Sequence, residues 1–74
     1  MSIQAPAVAL VWWLKSDNYF NNLDCRTAAF EWMNFHNGSG AIRDYECIQN
    51  QYGQNNPGQW SLWFLAPDSA YPPF

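Results

Sequence analysis

One histidine, two cysteines and six carboxylates are the side chains of this 74-residue chain that could act as catalytic or metal-binding groups. Their spacing decides how much they can do. A thiol nucleophile needs a base within hydrogen-bond reach. Cys25 and His36 lie eleven residues apart on one predicted helix, which is about 16 Å along its axis at 1.5 Å per residue, so they cannot form that pair. Cys47 with His36 stays open, because the end of the helix could overlie the strand that carries Cys47. A lone histidine near a helix C-terminus has a simpler use, since its cation suits the helix dipole. One His and two Cys also fall short of a zinc site with the usual spacing. Asp44 and Glu46 share one face of a strand, two residues apart. As a general acid and base they would need a cleft and a raised pKa; solvation, or contact with a basic partner, is the plainer role. No catalytic, cofactor-binding or metal-binding residue is assigned, and the chain reads as non-enzymatic. The cysteines make neither a CxxC nor a disulfide scaffold. Two reduced, buried thiols are the favoured reading, and a bridge from helix to strand requires an oxidising compartment.

The aromatic residues say more. Trp12, Trp13, Trp32, Trp60 and Trp63 are joined by five Phe and four Tyr. A chain of about 60 residues buries only about 60% of its unfolded surface, and each contacting aromatic takes roughly 150–250 Å². Some of these rings therefore belong to a binding surface. The loop Asn50–Gln59, NQYGQNNPGQ, sets Tyr52 among amides. Such a loop is foremost an exposed turn. Stacking rings beside Asn and Gln are also the means of holding a sugar or similar ligand, and a carbohydrate- or ligand-binding module is the second reading of the chain.

Composition sets the class of partner. Net charge is −3, with Lys15, Arg26 and Arg43 as the only Lys or Arg side chains. Three scattered cations release few counterions from a phosphate backbone, which argues against direct nucleic-acid binding. The same scarcity argues against an anionic membrane surface. Eight Asn and five Gln outnumber the nine charges, so solubility rests on amides and the surface should be adhesive. The apolar run Ala5–Leu14 has no basic segment before it and is well short of the roughly 20 residues of a membrane span; the expected compartment is the cytoplasm.

Four elements must position these residues. Ala7–Lys15 is apolar on both alternating sets, the pattern of a strand covered on both faces or of a short buried helix, and Pro6 with the polar stop Ser16-Asp17-Asn18 favours the strand. After a polar and aromatic loop over 16–23, Asp24 is the expected N-cap of a helix from Cys25 to His36, stopped by Asn37-Gly38. Cys25, Ala28, Ala29, Trp32, Met33, Phe35 and His36 share one arc of that helix. Ile42–Gln51 and Gln59–Ala66 alternate as strands, around a Gly- and Asn-rich loop. The sequence thus predicts an α+β fold: a single domain over 1–74, β-α-β-β, with one helix packed on a three-stranded, mostly antiparallel sheet and an extended tail at 71–74. Strand order stays open.

The stronger apolar sets (Val8, Leu10, Trp12, Leu14; Tyr45, Cys47; Trp60, Leu62, Phe64) are expected under the helix. The opposite face would then carry Val11, Trp13, Asp44, Glu46, Ile48, Trp63 and Leu65, aromatic and acidic with no helix left to cover it. Patches of that kind mark interaction sites, and these seven residues are the predicted protein-binding site. Two such faces could also stack into a homodimer. In size, mild acidity and lack of catalytic motifs the chain is similar to phage-encoded inhibitors such as anti-CRISPR proteins, a likeness of character and not of motif. It implies an inhibitor of viral origin acting in the host cytoplasm on a basic, nucleic-acid-binding complex.

Overall fold

The computed structural model describes residues 9–69. The chain runs β1 (Leu10–Tyr19), α1 (Asn22–Phe35), β2 (Asp44–Gln49) and β3 (Trp60–Pro67), the expected β-α-β-β order with one helix on a three-stranded antiparallel sheet. Strand order is β1-β3-β2. β3 pairs antiparallel with both neighbours, so β1 and β2 run parallel to each other, on either side of the strand that comes last in the chain. The expected tail at 71–74 and the face assigned to Val8 lie outside the described residues.

Cross-strand register assigns the faces. Opposed residues in an antiparallel pair lie on the same side of the sheet. The row Trp13–Phe64–Tyr45 crosses all three strands, as do Ser16–Leu62–Cys47 and Tyr19–Trp60–Gln49. These rows face α1. The core comprises Cys25, Ala29, Ile42, Leu62 and Phe64, flanked by Tyr19, Ala28, Trp32, Met33, Tyr45, Cys47 and Trp60. The middle strand supplies its largest side chains because β3 has a neighbour on each side.

β2 is two residues shorter at each end than the expected Ile42–Gln51 and β3 is shifted by one residue, and three further boundaries differ for a local reason. β1 continues through Ser16, Asp17 and Asn18, read as loop, because pairing resumes at Ser16↔Leu62 and Tyr19↔Trp60 after shifts of register. The tyrosine ring then packs on the core and holds the polar stretch in the sheet. The helix starts earlier, with Asn21 and not Asp24 as N-cap: the Asn21 Oδ1 accepts from the Asp24 N–H at 2.8 Å. Asp24 instead sits in the first turn, where its charge suits the helix dipole. At the other end neither Asn37 nor Gly38 takes the left-handed conformation; His36 is the C-cap, its N–H donating to the Trp32 carbonyl, and the chain first enters the left-handed region at Gly40, φ +70°. The Asn37 side chain closes the turn, accepting from the Ile42 N–H and donating to the Ile42 carbonyl, each at 3.0 Å.

Cys25 and Cys47 form a disulfide, with Cα atoms 6.1 Å apart. This corrects the expectation of two reduced thiols. Spacing in sequence could not show it, because only the packing of α1 on β2 brings the two positions together. Cys25 is fully buried in the core. The bridge also removes Cys47 as a partner for His36.

Candidate binding face and its cleft

Among the described residues, the other side of the sheet has no helix over it. Its rows are Leu10–Pro67, Trp12–Leu65–Asp44 and Leu14–Trp63–Glu46, followed by Ser61–Ile48. Five of the seven predicted site residues lie together here: Asp44, Glu46, Ile48, Trp63 and Leu65. Val11 and Trp13 do not. Trp13 pairs with the fully buried Phe64, its indole Nε1 is buried, and Val11 pairs with Ala66 on the same helix-facing side. Their places are taken by Leu10, Trp12 and Leu14, which the sequence pattern put under the helix. The correction is a shift of β1 by one residue, and such a slip exchanges every side chain between faces. In β1 both alternating sets are apolar, so hydropathy does not set the phase. Trp13→Ala is accordingly a test of stability and not of binding.

The open face remains accessible. Leu10, Trp12, Leu14 and Ile48 retain 45, 43, 46 and 45% of their accessible surface. Trp63 and Leu65, on the middle strand, are half-buried between their neighbours. Asp44 and Glu46 stand exposed on the edge strand beside them, each directly across from one of these two apolar residues. The surface is thus an apolar stripe with a carboxylate border along β2.

At the β3 start of this face lies a cleft of about 290 Å³, lined by Leu14, Asp17, Ile48, Asn50, Gln54, Asn55, Ser61 and Trp63. The sheet provides its floor and the β2–β3 loop over 50–59 its wall. That loop is tied down from within. Asn50, 7% exposed, donates through Nδ2 to the Asp17 and Asn56 carbonyls at 2.8 and 3.0 Å, while its Oδ1 accepts from the Ser61 hydroxyl. Asn56, in the left-handed region at φ 51°, donates to the Asp17 carboxylate at 3.1 Å. Two loop amides thereby clamp the end of β1, and the irregular register past Leu14 brings that segment to them. Among the described residues, Asn55 and the Gln54 Nε2 make no hydrogen bond within the chain, and neither does the second carboxylate oxygen of Asp17. Tyr52, the ring that the sequence singled out in this loop, is fully exposed and does not line the cleft. The ring that does is Trp63. Asp17, Asn50 and Ser61 were missed because a buried clamp and an ordinary turn have the same composition.

His36 caps α1 in the open, its ring 4.7 Å from that of Trp32, and Trp32 also receives the Lys15 ammonium 4.6 Å from its centre. Both contacts belong to the helix-facing side. Among the described residues no group of three His, Cys, Asp or Glu side chains could hold a metal ion, and no helix is long and apolar enough to cross a membrane. In comparisons with protein-family models, curated proteins and solved structures, none matched the chain.

Proposed function

We propose that this chain is a non-enzymatic binding protein that meets a protein partner through its open sheet face. The observation that carries the reading is the uncovered stripe Leu10, Trp12, Leu14, Trp63, Leu65 and Ile48, bordered by Asp44 and Glu46. Large apolar side chains left exposed and contiguous favour an interface, and Trp is the residue type most enriched at binding hot spots. The carboxylate border selects a partner whose contact surface is apolar at its centre and basic along one side. A basic, nucleic-acid-binding protein meets that description, with the chain acting as its inhibitor. The Cys25–Cys47 bridge weighs against the cytoplasm as the site of action, since cytosolic thiols are kept reduced; it favours a partner met in an oxidising compartment.

The test uses three forms of the disulfide-bonded chain: wild type, Trp12→Ser/Leu14→Ser and Glu46→Lys. Glu46 is exposed, whereas Trp12 and Leu14 are each more than half buried, so the double variant should melt lower than wild type and its fold is checked by circular dichroism before binding is compared. A basic protein retained by the wild type should be lost with the double variant and weakened by the charge reversal. Retention by both variants refutes the reading. Light scattering across a concentration range supplies the other refutation: a stable dimer that Trp12→Ser/Leu14→Ser dissociates would mean a second copy occupies the face.

A further inference from the structure

We infer that the cleft between the open face and the 50–59 loop binds a neutral hexopyranose ring, with Trp63 as the stacking surface and Asp17, Gln54 and Asn55 as hydrogen-bonding groups. A pyranose has an apolar face of C–H groups and a rim of hydroxyls that both donate and accept. The cleft offers the complement of each. Trp63, Leu14 and Ile48 give it an apolar side, and one carboxylate with two primary amides gives acceptors and donors on the other. The polar groups divide into two sets. Asn50 and Ser61 are nine-tenths buried and bonded to each other, so they build the wall. Among the described residues, the Asn55 amide, the Gln54 Nε2 and the second Asp17 oxygen have no hydrogen-bond partner, and they are left for a ligand.

Other small ligands fit less well. No Lys or Arg lines the cleft and its only charge is the Asp17 carboxylate, which disfavours phosphates and carboxylic acids. A quaternary ammonium takes a cage of several rings, and among the described residues one ring lines this cleft. The volume of about 290 Å³ sits at the lower edge of the roughly 300–1,000 Å³ typical of ligand pockets, which suits a single ring. The loop clamp on Asp17 means that the wall is preformed and need not be ordered on binding. This inference does not rest on the protein-partner reading: Leu14, Ile48 and Trp63 belong to both surfaces, but Asp17, Gln54 and Asn55, which supply the hydrogen bonds, belong to the cleft alone.

The experiment is a titration of the ¹⁵N-labelled, disulfide-bonded chain with the methyl glycosides of glucose, galactose, mannose and N-acetylglucosamine, followed by nuclear magnetic resonance. At least one glycoside should shift the Trp63 indole N–H together with the Gln54 and Asn55 side-chain amides, saturating with a Kd of about 1–10 mM, as expected for a small ligand in an open cleft. Gln54→Ala and Asn55→Ala, both on the exposed loop, should each weaken that Kd about three- to tenfold. Trp63→Ala should abolish the shifts, and Trp63→Phe, which keeps a smaller ring and guards against loss of folding, should retain part of the affinity. If none of the four glycosides moves these resonances, the inference fails. It fails equally if the shifts persist undiminished in the loop variants. Both outcomes leave Trp12→Ser, which lies outside the cleft, as a separate test of the protein interface.

Discussion

Reducing the Cys25–Cys47 bridge should remove a large share of the stability of this chain. The bridge closes a loop of 22 residues in sequence separation. In the chain-entropy description, a loop of that length gives about 3 kcal/mol, set by its logarithm. A folded chain holds roughly 0.05–0.15 kcal/mol per residue, or about 4–11 kcal/mol at this length, so the bridge accounts for at least about a quarter of the total. At roughly 4–8 °C per kcal/mol for a domain of this size, the melting temperature should fall by about 12–24 °C. The assay is thermal unfolding followed by near-ultraviolet circular dichroism, which reports the packing of the tryptophans, with and without a phosphine reductant. Cys25→Ala/Cys47→Ala is the control. It should melt near the reduced wild type and show no response to the reductant. A fall of less than about 4 °C, corresponding to under 1 kcal/mol, would refute the entropic argument. A reductant effect that persists in the double-alanine variant would refute the assignment to this bridge.

Two further perturbations test the elements that hold the face in place. Asn21→Ala removes the side chain that caps α1, and urea unfolding should show a loss of about 1 kcal/mol, with Asn21→Asp close to wild type; an unchanged Asn21→Ala midpoint would refute the cap. The Tyr19 hydroxyl is held above the ordinary tyrosine value of 10.0 first by burial and then by the charge of Glu31, against a smaller opposing hydrogen bond to Ser16. Its neutral form is therefore favoured in the folded state. The associated stability is complete below the unfolded tyrosine value and is lost as the pH rises from there through the raised one. Wild type should lose stability in alkali faster than Tyr19→Phe, and parallel pH profiles of the unfolding free energy for the two would contradict this.

Much of the fold was legible because three elements have one-sided patterns. The arc Cys25–Ala29–Trp32–Met33 marks the buried side of α1, although Phe35, placed on the same arc, ends the helix exposed. Trp60, Leu62 and Phe64 mark the buried side of β3, and Tyr45 and Cys47 that of β2. β1 lacks such a pattern, since its two alternating sets are equally apolar. Its phase comes from pairing with β3, through contacts about fifty residues away in sequence, so Trp12 and Trp13 were exchanged between faces. Asp44 and Glu46 were placed on the open side because they alternate with Tyr45 and Cys47 along β2, and the register puts them there. The cleft was not legible, because its clamp joins Asp17 to Asn50 and Asn56 across more than thirty positions.

The strand order has a consequence for how the chain can assemble during synthesis. Among the described residues β1 and β2 do not touch through backbone hydrogen bonds; each pairs with β3, the last of the three strands to be made. Until residues 60–67 leave the ribosome, the links available between the two halves, among the described residues, are the packing of α1, the Cys25–Cys47 bridge and the amide clamp on Asp17. No partial sheet can form and wait. Acquisition of the open face is then all-or-none and late, and a nascent chain halted in the 50–59 loop would carry Trp12 and Leu14 on an unpaired strand, exposed to aggregation or to chaperone capture.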